Sequence, residues 1–371
     1  MTSEERREVR YQRRKFKREE QKRKRNLMTY EEVFSFNNLY DAFNNCKHGV
    51  MWKTSVQSYA AGHLAKAYRT HEDLLSGKYK SKGFVDFDIM ERGKKRHIRS
   101  VHISERVVQR CLCDNYLTPV LSSTFIYDNG ASLKGKGIHF TLDRLTEHMR
   151  WHYRRYGTEG YVFTFDFSKY FDTASHDAIF AEIDRCTTDK RLREQAKYFI
   201  RQFGNEGLGL GSQVSQIVAL ALPNKLDHYI KEKMRIHCYG RYMDDGYLIH
   251  PSKEYLQECL KGIREICASL GIKLNDRKTQ IQKLTKGVTF LKGHFFLTTT
   301  GRVVKKLNSC SVTSMRRKLK KFKKWVDCGK MSAEDVWTSC KSWVGYAGYF
   351  DAYRSRQNLN NLYKELFVCT R

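Results

Sequence analysis

Two adjacent aspartates, Asp244 and Asp245, sit between the run Cys238-Tyr239-Gly240-Arg241-Tyr242-Met243 and the run Gly246-Tyr247-Leu248-Ile249. Aromatic and aliphatic residues on both sides of two acids read as strand, tight turn, strand. Asp245-Gly246 is expected to supply the turn chemistry. Neighbouring carboxylates repel, so a turn carrying both is best tolerated when cations neutralise it. Asp-Asp-Gly is also ordinary material for a solvated hairpin tip. A third acid in a matching setting weighs against that plain reading. Tyr161-Val162-Phe163-Thr164-Phe165-Asp166-Phe167 is a strand-like run delivering an acid at its end, followed by Ser168-Lys169-Tyr170-Phe171-Asp172. Two such strands side by side in one sheet would build an oxygen-rich site for paired divalent metals, the arrangement that clamps both oxygens in phosphoryl transfer.

Charge points to the partner class. The 371 residues carry 69 Lys and Arg against 40 Asp and Glu, a net +29. Such an excess suits a polyanion, because each neutralised phosphate releases counterions. A membrane surface would attract it too, but no run of about 18 apolar residues and no signal peptide is visible. Membrane attachment is the weaker account. Hydrophobic residues make up 40% of the chain, enough for a globular body. Eleven scattered cysteines without an export signal predict reduced thiols in a cytoplasm, serving as core filler. Cys111 and Cys113 are too closely spaced for an ordinary zinc pair. Three prolines argue against long disordered linkers.

Along the chain, residues 1–26 hold twelve Lys/Arg and five Asp/Glu. They read either as a nucleic-acid-gripping arm, plausibly helical, or as a solubilising tail. Glu31 to Phe36 opens a helical stretch. Residues 83–103 alternate as a hairpin around a basic turn, and Ser104–Leu112 follows as a helix with an apolar face. Tyr127–His139 is glycine-rich and basic, and reads either as a binding motif or as a surface loop. Residues 301–330 contain eleven Lys/Arg and one acid. There Val312, Met315, Leu319, Phe322 and Val326 share one helical face, opposite Arg316, Arg317, Lys318, Lys320, Lys321, Lys323 and Lys324. Ser332-Ala333-Glu334-Asp335 reads as a capped helix start. Trp337, Trp343, Tyr346, Tyr349 and Phe350 are expected to pack this last region, though one of them could stack on a base.

Five segments, in order, resemble the motifs of reverse transcriptases. They are Asp166 with Phe171; Gly207-Leu208-Gly209-Leu210-Gly211-Ser212-Gln213-Val214-Ser215-Gln216; Tyr242-Met243-Asp244-Asp245; Leu274-Asn275-Asp276-Arg277-Lys278-Thr279; and Phe290-Leu291-Lys292-Gly293. The resemblance runs from about residue 90 to 365. Within the family, bacterial retroelement types (diversity-generating, group II intron-like and defence-associated) look most similar.

This likeness implies an α+β right-hand polymerase with an antiparallel palm sheet. It implies a basic arm over 1–29, fingers over 30–160 with part of 172–210, a palm over 161–300 and a helical thumb over 301–371. The implied reaction is RNA-directed DNA synthesis with two Mg²⁺ ions, Mn²⁺ able to substitute. Asp166, Asp244 and Asp245 would be catalytic and metal-binding, joined by the backbone carbonyl of Phe167. Asp172 and His176, though near, stay outside this set.

Lys94, Arg96, Arg99, Phe171, Gly211, Gln216 and Lys278 would handle the dNTP. In this reading Phe171 is a steric gate against a 2′-hydroxyl and Lys278 a general acid for pyrophosphate. Lys278 could equally be a surface lysine. Ser215, Lys292, Arg316, Arg317, Lys320 and Lys324 would touch nucleic acid. Implied partners are a template RNA (a cognate non-coding RNA), a DNA primer and dNTPs, with no membrane; an accessory protein or a homo-oligomer fits as well. The 371 residues are expected to hold no ribonuclease H, endonuclease or long maturase extension.

Two positions depart from the pattern: Leu133 stands where arginine is usual and Gly209 where proline is frequent. A lysine at 134 or 136 cannot reproduce arginine's planar fork. Other classes stay open from sequence alone. One is a nucleic-acid-binding or splicing-type protein on a polymerase fold; another is a DNA-templated or template-independent nucleotidyl transferase.

Overall fold

The computed structural model describes residues 5, 6, 8, 9, 11–13, 15, 16, 19, 20, 28–91 and 93–368, apart from the side chains of Glu91 and Lys94. The described residues before 21 are helical and exposed; the rest of the expected basic arm lies outside the described residues. The chain divides into two compact units. The first comprises 1–127, 167–233 and 261–275, the second 128–166, 234–260 and 276–371. The expected palm span 161–300 contributes to both.

In the first unit, Thr29 and Glu32 form a capping box before the helix Tyr30–Val33, and Ser35 caps the helix Phe36–Cys46. Strands β1 (Phe84–Glu91) and β2 (Lys94–Val101) form the expected antiparallel hairpin, with Phe87 opposite Ile98 and Asp86 opposite Arg99. The helix Ile103–Leu112 buries Val107, Val108, Cys111 and Leu112 on its apolar face. Further helices at His176–Cys186, Lys190–Arg201 and Gln213–Ala221 follow. A polar chain runs through this body. Glu105 is buried, accepts from Ser81 Oγ and from Gln109 Nε2, and burial raises its pKa. Gln109 Oε1 in turn accepts from Ser212 Oγ at 2.9 Å, and Ser212 caps the helix Gln213–Ala221 through the Ser215 N–H.

The second unit is built on a four-stranded antiparallel sheet ordered β4-β5-β3-β6, from β3 (Tyr161–Asp166), β4 (Tyr239–Tyr242), β5 (Asp245–His250) and β6 (Gln280–Lys283). The helix Ile138–Tyr156 covers it: Leu142, Leu145 and Met149 join Val162, Tyr247 and Ile249 in one core. A second antiparallel sheet, β7 (Val288–Phe290), β8 (Gly293–Leu297) and β9 (Val303–Leu307), adds Phe290, Phe295 and Val303 to that core. The α+β class with antiparallel sheets is as expected.

Three helices close the chain: Ser309–Asp327, Ala333–Ala347 and Tyr353–Phe367. The first buries Met315, Leu319 and Phe322 and exposes Arg316, Arg317, Lys318, Lys320, Lys321 and Lys324. Each buried side chain contributes about 1.5–3 kcal/mol, so the apolar stripe anchors the helix while the basic face stays in water. Ser332 and Asp335 form the second capping box. The aromatics split between two cores, which corrects the expectation that all pack this region. Trp343 packs with Leu319 and Val336, whereas Tyr346, Tyr349 and Phe350 pack on the core of the β7–β9 sheet. Spacing alone cannot say which of two adjacent cores receives a ring.

None of the described cysteines forms a disulfide. Seven are buried, but Cys310 and Cys328 are exposed and do not act as core filler. Among the described residues no helix is long and apolar enough to cross a membrane.

Candidate active site

The two strands predicted to deliver acids lie side by side. β3 and β5 pair antiparallel with Asp166 directly opposite Asp245. The β4–β5 hairpin forms as expected, but its turn does not. Met243 and Asp244 are the central residues, and Met243 adopts a left-handed φ of 54°. Gly246 belongs to β5 instead. A Cβ there would come within 2.2 Å of the Phe165 ring, so glycine is required by a close approach across the sheet. Asp-Gly is a strong turn signal only when nothing else needs the glycine.

Asp166, Asp244 and Asp245 bring carboxylate oxygens within 4.8 Å of one another. Asp166 is buried; the other two are partly exposed. Burial pushes the Asp245 pKa up to about 7, helped by the charges of Asp244 and Asp166 and a hydrogen bond with Asp166, and opposed by Lys278. Crowding of three acids thus favours the uptake of positive charge at this site. All-oxygen donors at this spacing fit hard divalent cations.

Lys278 completes the row. β6 pairs with β3 through Thr164 and Gln280. Extending that register by two residues brings Lys278 to Asp166, and the Nζ lies 2.9 Å from Asp166 Oδ2. The hydrogen bond to Asp166 raises the lysine's pKa, so the ammonium is favoured. Asp245, Asp166 and Lys278 thus lie across three adjacent chain segments of one sheet. Phe167 begins the neighbouring segment and bridges to Leu274. Asp172 stays outside the acid cluster, and His176 Nε2 is within 2.7 Å of the Gly207 carbonyl.

The profile of the family described as "Reverse transcriptase (RNA-dependent DNA polymerase)" matches residues 80–295. This chain belongs to that family.

Among solved structures, this chain is similar to apo telomerase from Candida tropicalis truncated from the C-terminal domain. That match has 16% identity and a TM-score of 0.45, covering 60% of this chain and 55% of that one. It is also similar to telomerase from Candida albicans in complex with the TWJ fragment of telomeric RNA, at 13% identity and a TM-score of 0.46, covering 78% and 62%. The chain spans 55% to 62% of those two proteins' lengths. No curated protein matches it in sequence.

The remaining expected site residues fall into distinct settings. The family resemblance groups Lys94 and Arg96 with Arg99, but the ribbon register separates them. Arg96 lies opposite Ile89 and Arg99 opposite Asp86, and residues 96 and 99 differ by an odd step, so they occupy opposite faces. Arg96 is exposed. Arg99 is held: its Nη1 donates to the Phe203 carbonyl at 3.2 Å, its Nε lies 3.7 Å from Asp86, and its guanidinium covers the Phe84 ring. Its backbone N–H donates to Leu210 at 3.2 Å, and Gly211 packs so close that a Cβ would meet the Arg99 carbonyl at 2.9 Å. Arg99 clasps the hairpin to the Gly207–Gln216 loop. The side chain of Lys94 lies outside the described residues.

In that loop, Gly209 faces the Phe203 ring, which leaves no room for proline or any side chain. This accounts for the departure at 209. Gln216 is exposed on the helix Gln213–Ala221. Ser215 lies in its first turn and is buried, its hydroxyl having no hydrogen-bond partner among the described residues. Ser212, not Ser215, is the cap of this helix. Phe171 is half-buried beside Tyr170, and its carbonyl accepts from Leu208 at 2.6 Å. Lys292 is exposed in the two-residue turn between β7 and β8, where Leu291 and Lys292 both take left-handed φ, 45° and 71°.

Sequence reading missed the polar support beneath β4 and β5. Arg144 Nε donates to buried Asp128 at 2.6 Å, and a ring nitrogen of His148 lies 3.0 Å from the Tyr247 hydroxyl. Arg241, wholly buried, donates from Nη1 to the Met243 carbonyl at 2.8 Å. A charged residue inside an otherwise apolar strand was the available signal.

Proposed function

We propose that this reverse transcriptase copies an RNA template into DNA by two-metal phosphoryl transfer, serving a bacterial retroelement or antiphage defence system. The reading is carried by the acid cluster of Asp166, Asp244 and Asp245 at the paired ends of β3 and β5, with Lys278 beside it. Two divalent cations, when bound, would lower the pKa of a primer 3′-hydroxyl and neutralise the triphosphate. The three aspartates, with the Phe167 carbonyl, would hold them; Mg²⁺ is the natural choice and Mn²⁺ a substitute.

The chain's own residues do the rest. Lys278 carries a proton at Nζ that pyrophosphate could take. Arg96 and Lys94 offer cations to the triphosphate, and Gly211 and Gln216 line the nucleotide's approach. Phe171 sets a steric limit at the sugar. The exposed face of Arg316, Arg317, Lys320 and Lys324 suits a duplex backbone, and Lys292 a primer end.

In this scheme the first unit carries the fingers, the four-stranded sheet is the palm and residues 301–371 are the thumb. The bacterial placement is supported by the Gly211-Ser212-Gln213-Val214-Ser215-Gln216 pattern. The test is to purify the chain with its bound RNA, sequence that RNA, and supply labelled dNTPs with Mg²⁺. Products templated by one co-purifying structured RNA are expected. Products copied only from DNA, or made without template, would overturn the proposal.

A further inference from the structure

We infer that Arg241 is the positioning residue that sets the geometry of the catalytic turn, an inference that rests on the metal-binding reading of the acid cluster. The turn between β4 and β5 has two central residues, and only the first, Met243, is left-handed. Hairpin turns with that pattern normally take glycine there. A side chain with Cβ in a left-handed conformation is strained by about 1–2 kcal/mol, and such strain persists only where the surroundings over-determine it.

Arg241 supplies that determination. Its guanidinium donates to the carbonyl of Met243 at 2.8 Å, one residue before Asp244. Arg241 is wholly buried and is among the largest fully buried side chains of the chain. Its backbone is fixed on its outer edge too, donating to Asp128 at 3.1 Å and accepting from Gly130 at 3.0 Å, while the register places it opposite Gly246 on its inner edge.

Burying a guanidinium is costly unless its donors are used. A strand-filling residue at this place would be apolar. One target of that charge is the peptide oxygen that fixes the orientation of the Met243–Asp244 peptide plane. Turning that plane would swing the Asp244 carboxylate away from Asp166. Arg241 thus acts through Met243 on Asp244 and touches no reacting atom.

The test compares Arg241→Met, which fills similar space without a donor, with Arg241→Lys, which keeps one. Terbium(III) luminescence reads metal affinity directly, and dNTP incorporation reads the Mg²⁺ concentration at half-maximal rate. Loss of an outer partner of a metal ligand typically weakens metal binding by 10- to 100-fold. Arg241→Met is expected to bind Tb³⁺ about tenfold more weakly and to need about tenfold more Mg²⁺, with KM for dNTP little changed. Arg241→Lys should fall between it and wild type.

Folded variants with wild-type Tb³⁺ affinity and Mg²⁺ requirement would overturn the inference. If Arg241→Met does not fold, Arg241→Lys decides on the same two readouts. Should wild type incorporate no nucleotide while Tb³⁺ affinity still falls in the variants, the polymerase reading fails and the positioning role stands. Should wild type be active and Tb³⁺ affinity be unmoved, the reverse holds.

Discussion

Asp166 on β3 and Asp245 on β5 are register partners, directly opposite across an antiparallel pair and joined by a side-chain hydrogen bond. Two ionised acids repel at that position, which favours a proton or a cation there. The Asp245 pKa is accordingly about 7, above the ordinary carboxyl value of 3.8.

That shift has a definite sign. The native state keeps a proton that the unfolded chain has already released, so Asp245 lowers metal-free stability as pH rises from 3.8 toward about 7. The thermal midpoint of metal-free protein should fall across that window, and Mg²⁺ should raise the midpoint more at pH 8 than at pH 5. Asp245→Asn should flatten both effects. Equal Mg²⁺ stabilisation of wild type at the two pH values would count against it.

The sugar-gating role of Phe171 predicts altered nucleotide choice. Phe171→Ala should raise ribonucleotide incorporation relative to deoxynucleotide by about tenfold or more, the scale set by removing bulk from a pocket wall. Competition between ATP and dATP in single-nucleotide extension measures it. An unchanged ratio in an active variant would assign Phe171 to packing alone.

Opposite faces of the β1–β2 ribbon separate two arginines that sequence treats alike. Arg96→Ala should raise KM for dNTP with little change in thermal midpoint. Arg99→Ala should lower the midpoint, because it removes the hydrogen bond to Phe203 and the ion pair with Asp86 and loosens the hold on the Gly207–Gln216 loop. Steady-state kinetics beside calorimetry distinguishes them. Matching phenotypes for the two variants would contradict the division.

These contrasts show what was legible in the sequence. The acids, the hairpins, the amphipathic helix Ser309–Asp327 and the cap at Ser332 were readable because each rests on local periodicity or local turn chemistry. The contacts of Arg99, the burial of Ser215 and the Met243–Asp244 turn were not. Their orientation depends on packing partners far along the chain, such as Phe203, Gln109 through Ser212, and Phe165 on Gly246. Arg241 was visible as a misplaced charge, but its target carbonyl appears only when the turn closes.

The basic face of the helix Ser309–Asp327 predicts a salt signature. Replacing Arg316, Arg317, Lys320 and Lys324 by Ala should lessen the slope of log affinity against log salt by about 0.7–0.9 for each phosphate that is no longer neutralised. Fluorescence anisotropy with a primed RNA between low and moderate salt reads this slope. No change in slope would place the nucleic acid elsewhere.

The most direct measurement of the central claim is primer extension on RNA by wild type and by Asp244→Asn, with and without Mg²⁺. Asparagine keeps the size of the side chain and removes its charge. The account predicts Mg²⁺-dependent extension by wild type and a loss of about a thousandfold or more in Asp244→Asn, the scale on which charge stabilisation acts at such centres, with the fold intact. Extension by Asp244→Asn at the wild-type rate would contradict it.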